Sequence, residues 1–299
     1  LDTLAYNTHY LGFNANMLAN EMFLDTSSLR SSTISHAKNL GYEVRSARAP
    51  FATINVSLKT DSNTKTMPAG TAFNTTLDGV TYQFVTIADI TGTKFGNSVN
   101  FDAQKVYEGT YITTRYIVDT TDLEQRFILR DNRADTSTLT VKVQNSATDT
   151  TTTTYTKATD ITQLSKTSTV YYIQEVENGK HEVYFGDGVV SKKVDDGNIV
   201  FLQYVVTNKT EANGAFVFTA PSSIDGVTDI TLTTVERATG GSEPESIESI
   251  KLNAPLDYAS QGRCVTTGDY EVFVKKLFPQ TQAVNAVSYT HLTLPTTRC

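Results

Sequence analysis

The chain has 299 residues, 19% charged and 39% hydrophobic, with a formal net charge of −7. That content suits a folded protein, neither a disordered nor a membrane one, and the length allows one large core or two to three smaller ones. The acidic balance disfavours nucleic acid as a main partner, since phosphate contact needs clustered Lys and Arg.

The N-terminal part reads as helical, with Leu11, Ala15, Leu18 and Met22 at near-helical spacing. A second helix is predicted from an N-cap at Asp25 or Ser27 to Leu40, ended by Gly41. From Phe51 the pattern changes: Ala52, Ile54, Val56 and Leu58 alternate with polar residues, as a half-buried strand requires. Pro68-Ala69-Gly70 marks a turn, and Asp78-Gly79 is a favoured hairpin turn between Phe73–Leu77 and Val80–Val85.

Residues 106–173 are Thr-rich and strand-like, with strands expected at Tyr111–Val118, Gln125–Leu129 and Leu139–Val143. Thr148–Thr154 reads as a polar surface loop. Val170–Val176 is predicted to pair with His181–Phe185 across the two-residue turn Asn178-Gly179. Gly186-Asp187-Gly188 and the Asp195-Asp196-Gly197-Asn198 stretch mark further reversals. Ile199–Val206 is the most apolar run, strand-sized and too short to cross a bilayer. A last strand is expected at Ile230–Val235, leading to Gly240-Gly241.

Helix returns at the C-terminal end. Ser242-Glu243-Pro244-Glu245 has the spacing of a capping box, and Pro255 is expected to stop the helix it opens. Thr266 or Thr267 opens another helix, on which Tyr270, Phe273, Val274, Leu277 and Phe278 make one apolar stripe before Pro279. Such a stripe is ordinarily core; facing outward, it is a contact surface of the helix-in-groove kind. The reading is an α+β fold of mostly antiparallel β modules with helical segments at both ends. Its segments are a helical one at 1–48, a β module with hairpin at 49–105, an inserted Thr-rich β domain and meander at 106–240, and a C-terminal helical segment at 241–286.

Residues 287–299 are set apart. Val287–Thr296 reads VSYTHLTLPT, which resembles the translation of a common transposon-type sequencing adaptor, so this segment is expected to be a read-through scar. With Leu1 at the start and a scar at the end, the chain is expected to be a piece of a longer protein.

Chemistry is hard to place. His9, His36 and His181 lack a neighbouring nucleophile in sequence, and Cys264 is expected to be a buried thiol. Cys264 and Cys299 make no disulfide framework, which fits a reducing cytoplasm. The run from Asp131 to Asp135 is loosely like a calcium loop but places Arg133 where an oxygen ligand belongs. Asp187, Asp195 and Asp196 could gather around a cation, though Asp in turns ordinarily bonds its own backbone. No metal, cofactor or catalytic residue is therefore predicted, and no small-molecule substrate.

The block YFGDGVVSKKVDDGNIVFLQYVVTNKTEANG, Tyr184–Gly214, resembles the baseplate J-like family, in particular the baseplate wedge subunits of T-even-type contractile-tailed phages. Four blocks agree in order: Phe23–Ser46, Met67–Phe84, Ala134–Val143 and Asn253–Pro279. The resemblance implies a non-enzymatic structural protein of the virion tail baseplate, assembled in the host cytoplasm. Its partners would be copies of itself in a ring and another baseplate wedge subunit, with no nucleic acid and no membrane. The ring would rearrange as rigid modules on contraction, with Asn208–Gly214 and Gly240-Gly241 as hinge candidates. The alternatives are a β-rich adhesin or glycan-binding tail protein, and the baseplate of a non-phage contractile injection machine.

Overall fold

The alternating run from Ala52 to Leu58 sits in the middle of a sheet, its apolar side chains buried and its polar ones turned away. The computed structural model describes residues 2–159, 164–278, 281 and 283–287. The chain divides into two compact units, Leu1–Val44 with Glu245–Cys299 and Arg45–Pro244. The fold is α+β, with two mostly antiparallel sheets and helices toward both ends. The scar-like segment from residue 288 onward lies outside the described residues, as does Pro279.

Within Arg45–Pro244 the first sheet takes β1 (Phe51–Lys59), β2 (Thr64–Met67), β3 (Ala72–Leu77), β4 (Val80–Val85), β5 (Ile90–Phe95) and β6 (Ser98–Glu108). It also takes two late strands, β14 (Phe218–Thr219) and β15 (Ile230–Thr239). The order is β14-β3-β4-β6-β1-β15, with β2 on β5 and β5 on β6. Leu77 faces Val80 across Asp78-Gly79, whose φ values of 51° and 81° are the positive pair that a type I′ turn requires. The segment leading into β14 bonds β15 (Gly214 N–H to Ala238 O at 2.7 Å, Ala238 N–H to Ala215 O at 2.8 Å), so the two ends of the sheet meet. Inside lie Ile54, Leu58, Met67, Phe73, Phe84 and Phe101. Each such side chain contributes about 1.5–3 kcal/mol by leaving water.

The second sheet takes β7 (Thr110–Ile117), β8 (Phe127–Ile128), β9 (Ala134–Gln144), β10 (Thr152–Lys157), β11 (Val170–Glu175), β12 (His181–Phe185) and β13 (Ile199–Val206). Their order is β7-β13-β9-β10-β11-β12-β8, antiparallel except at β10–β11. β13 lies between β7 and β9 and is largely buried on both faces, which explains its unbroken apolar run. Tyr116, Phe127, Phe185 and Tyr155 pack edge to face in a chain, at centroid separations of 5.7, 5.5 and 5.3 Å.

Several expectations are corrected here. Thr152–Thr154 belong to β10, paired with Lys142–Gln144, so the loop is shorter than expected. β14 and β15 fall inside the expected inserted domain 106–240 yet bond to β3 and β1. Strand pairing over long sequence distances, which no local pattern encodes, returns the chain to its first sheet.

The helical unit comprises α1 (Asp2–Glu21), α2 (Arg30–Asn39), α3 (Ile247–Ser260) and α4 (Thr267–Leu277). Its core is Ile34, Ala37, Val44, Ile250 and Ala254, while α1 buries none of its residues. α2 begins at Arg30, later than Asp25 or Ser27 implied. Leu29 at the N-cap offers no side-chain acceptor, and the Glu21 carboxylate takes the N–H groups of Ser28 (2.8 Å) and Leu29 (3.2 Å) instead.

The capping box at Ser242 does not form. Ser242 exchanges backbone bonds with Arg48, and α3 is capped by Ser246, which accepts from the Ser249 N–H at 3.2 Å. The Glu245 carboxylate is already taken by Tyr42 (2.8 Å), Ser249 (2.7 Å) and Asn253 (3.1 Å). Nor does Pro255 stop α3. The helix runs on to buried Ser260 and closes at Gln261, with φ 49°. α4 opens with a reciprocal capping box between Thr266 and Asp269.

Candidate functional site

The chain crosses from the first sheet to the second between β6 and β7 and returns after β13, and the two crossings lie side by side. Glu108, the last residue of β6, is wholly buried. Its carboxylate accepts from the Thr207 hydroxyl (2.7 Å), the Asn208 N–H (2.9 Å) and the Asn208 side-chain amide (2.8 Å). Gly109 follows with φ 123°, and a Cβ built there would collide with the Val206 carbonyl oxygen. Only glycine lets the outgoing strand pass so close to the returning one.

Asp135 at the start of β9 is the second buried acid of this junction. It accepts from the N–H groups of Ala49 (2.9 Å) and Ser137 (2.8 Å) and from the Ser137 hydroxyl (2.6 Å). Burial pushes its carboxyl above the ordinary carboxylate range, against the pull of the Ser137 and Ala49 hydrogen bonds. Ser46 adds a bond to the Thr136 hydroxyl at 2.8 Å, and Ala49, Val85 and Val205 pack beneath. The junction is a polar latch over an apolar floor.

The same bonds bear on the hinge candidates. Asn208 is held by Glu108, and Asn213 exchanges two bonds with Gly241, at 3.1 and 3.0 Å. Lys209 is paired with Glu243 at 2.6 Å. Both candidate hinges are pinned within the β unit.

At the other turns, Asn178 and Gly179 have φ 60° and 73°, within the Glu177–Gly179 turn between β11 and β12. Gly186 packs so tightly that a Cβ would collide with the Ser191 hydroxyl, and Gly188 and Gly197 have φ 88° and 76°. The Asp187 carboxylate accepts from the Val189 and Val190 N–H groups at 2.9 and 3.2 Å, which hold its pKa below the usual range. Asp196 accepts instead from Thr120 at 3.0 Å. Among the described residues, no three acids, histidines or cysteines gather as a metal site.

On α4, Tyr270 and Leu277 are 51% and 69% exposed while Phe273 and Val274 are half-buried. The stripe is not core. Cys264, expected to be a buried thiol, is exposed in the stretch before α4. His181 is buried in β12, and the His36 ring nitrogen donates to the Glu21 carbonyl at 2.9 Å.

Sequence reasoning missed Glu108 and Gly109, and weighed Asp135 only as part of a calcium-like run. One signal was available: Glu108 stands two residues after buried Val106, at an inward position of an alternating run. A charge at such a position must find buried donors.

Residues 113–220, from β7 to just past β14, match the family described as bacteriophage baseplate wedge protein gp6, third domain. The chain is similar to baseplate wedge protein gp6 of Enterobacteria phage T4, 29% identical over 93% of this chain and 45% of that protein. Both agree with the family resemblance read from the sequence. The chain spans less than half the length of that relative. A solved structure, the cryo-EM structure of the anti-feeding prophage (AFP) baseplate, 6-fold symmetrised, covers 93% of this chain and 52% of its own. Its 13% identity and TM-score of 0.32 are too low to carry an argument.

Proposed function

We propose that this chain is a structural part of a phage tail baseplate wedge, resident in the virion, and that it works by shape and docking rather than by catalysis. Similarity to a baseplate wedge protein along 93% of the chain is the observation that carries the reading. Its partners are copies of itself and a second wedge subunit, repeated as a ring that rearranges on tail contraction. The β unit suits that role: two sheets latched through Glu108 and Asp135 form a stiff body that keeps its shape under load. The exposed apolar residues of α1 and α4 supply contact area.

Immunogold labelling of intact particles made by the source of this gene tests it, with cross-linking between copies as the second readout. Label at the baseplate end with cross-linked copies is the expected result. A protein that stays monomeric and never enters a tail particle would overturn the reading.

A further inference from the structure

Along β7 the second sheet leaves an open surface hollow of about 330 Å³. One wall is the consecutive run Ile112 to Arg115, the other is Arg130 and Asp131, and Tyr204 completes it. Neighbouring residues of a strand point to opposite faces. A hollow touched by four in a row therefore follows the strand's edge. β7 is the terminal strand of its sheet, paired among the described residues only with β13, so that edge is open.

The charge there is unusual for this chain. Net charge is −7 overall, yet two arginines, Arg115 and Arg130, line the hollow. Asp131, the acid beside them, is engaged elsewhere: it accepts from the Arg133 N–H at 2.8 Å and pairs with its guanidinium at 3.3 Å. The ion pairs of the described residues leave Arg115 and Arg130 without a carboxylate. The wall is also set in place beforehand. The hydroxyl of buried Tyr204 accepts from the Arg130 N–H at 3.2 Å, and the Leu129 N–H donates to His181 O at 2.7 Å. A site already ordered costs little further ordering on binding.

We propose that this edge receives an extended acidic segment of a partner protein, added to β7 as a further strand with its carboxylates on Arg115 and Arg130. An open strand edge supplies main-chain hydrogen bonds to such a segment, and flanking pockets select its side chains. Guanidinium and carboxylate match in planar, bidentate geometry. The site rests on the geometry of the β unit alone and stands whether or not the wedge reading does.

The test uses the full chain and two labelled pentapeptides, Thr-Glu-Thr-Glu-Thr and Thr-Gln-Thr-Gln-Thr, in fluorescence anisotropy. The Glu peptide is expected to bind at least about tenfold tighter than the Gln peptide, and Arg115→Gln or Arg130→Gln to weaken it by about tenfold each. Both arginines are exposed, and unchanged thermal melts would show the variants folded. Equal binding of the two peptides, no binding of either, or indifference to both substitutions overturns the proposal. So does inorganic phosphate displacing the Glu peptide at equal concentration while backbone N-methylation of the peptide changes nothing, because the site would then hold a free anion and not a strand.

Discussion

The Glu108 carboxylate accepts the Thr207 hydroxyl at 2.7 Å, across 99 residues of chain, and so ties the end of β6 to the first residue after β13. Everything in the second sheet lies between these two residues. Its attachment to the first sheet therefore draws on this buried acid and the donors it satisfies, together with the Asp135 bond to Ala49.

Replacing that acid exposes its value. Glu108→Ala takes the acceptor from the buried Thr207 hydroxyl and from both donors of the exposed Asn208, and the expected loss is about 2 kcal/mol, most of it from Thr207. Glu108→Gln keeps one acceptor oxygen and should lose less. Urea denaturation reads both; an alanine variant as stable as the parent would contradict the latch.

Two glycines separate backbone strain from collision. Gly79 has φ 81° with nothing near its missing Cβ, so Gly79→Ala is expected to cost about 1–2 kcal/mol, the left-handed penalty alone. Gly109→Ala adds a clash with the Val206 carbonyl oxygen, and a loss above about 4 kcal/mol is expected. If the two variants melt together, the crossing is looser than described.

Two carboxyls, Asp135 and Glu21, should answer acid with opposite sign. Burial raises the Asp135 carboxyl above its ordinary 3.8, so the folded β unit holds that proton more tightly than the unfolded chain. Its contribution is complete below that value and falls away as pH rises through the raised pKa. Thermal melts across this window should show Asp135→Asn gaining on the parent as pH rises; a constant gap would refute the assignment.

Glu21 behaves the other way. Hydrogen bonds from the Ser28 hydroxyl and N–H bring it from 4.5 down to about 2. What it contributes is present above pH 4.5 and lost as pH falls toward 2. Protection of the Ser28 and Leu29 amides, taken relative to the intrinsic exchange rate at each pH, should fall over that interval and, in Glu21→Ala, should be low throughout. Protection that persists in the variant would mean the α2 start is held by something else.

Pro255 interrupts the hydrogen bonding of α3 without ending it. Pro255→Ala should restore a bond to the Lys251 carbonyl and stabilise the helical unit by about 1–3 kcal/mol. A loss of stability instead would show that the pyrrolidine ring packs usefully.

Local chemistry carried much of this fold in the sequence. The Ala52–Leu58 alternation, the apolar run of β13 and the Thr266 cap each follow from a few neighbouring residues. What stayed hidden depends on partners far along the chain. Ser242 looks like a helix cap until Arg48 claims its backbone, and Ile230–Thr239 looks like part of the inserted domain until β1 pairs with it. Glu108 went unremarked and Asp135 was read only within a calcium-like run, since Thr207 and Ala49, which donate to them, lie far along the chain. On α4 the periodicity gave the stripe, but spacing alone does not say which way it faces.

The neighbouring crossings at Gly109 and Thr207 have a bearing on how such a gene can change. A module whose two ends emerge together can be lost, enlarged or swapped by recombination while its host sheet keeps every strand and its order. Variation among relatives should then gather between those two points as replaceable cassettes, leaving the flanking strands a common chassis.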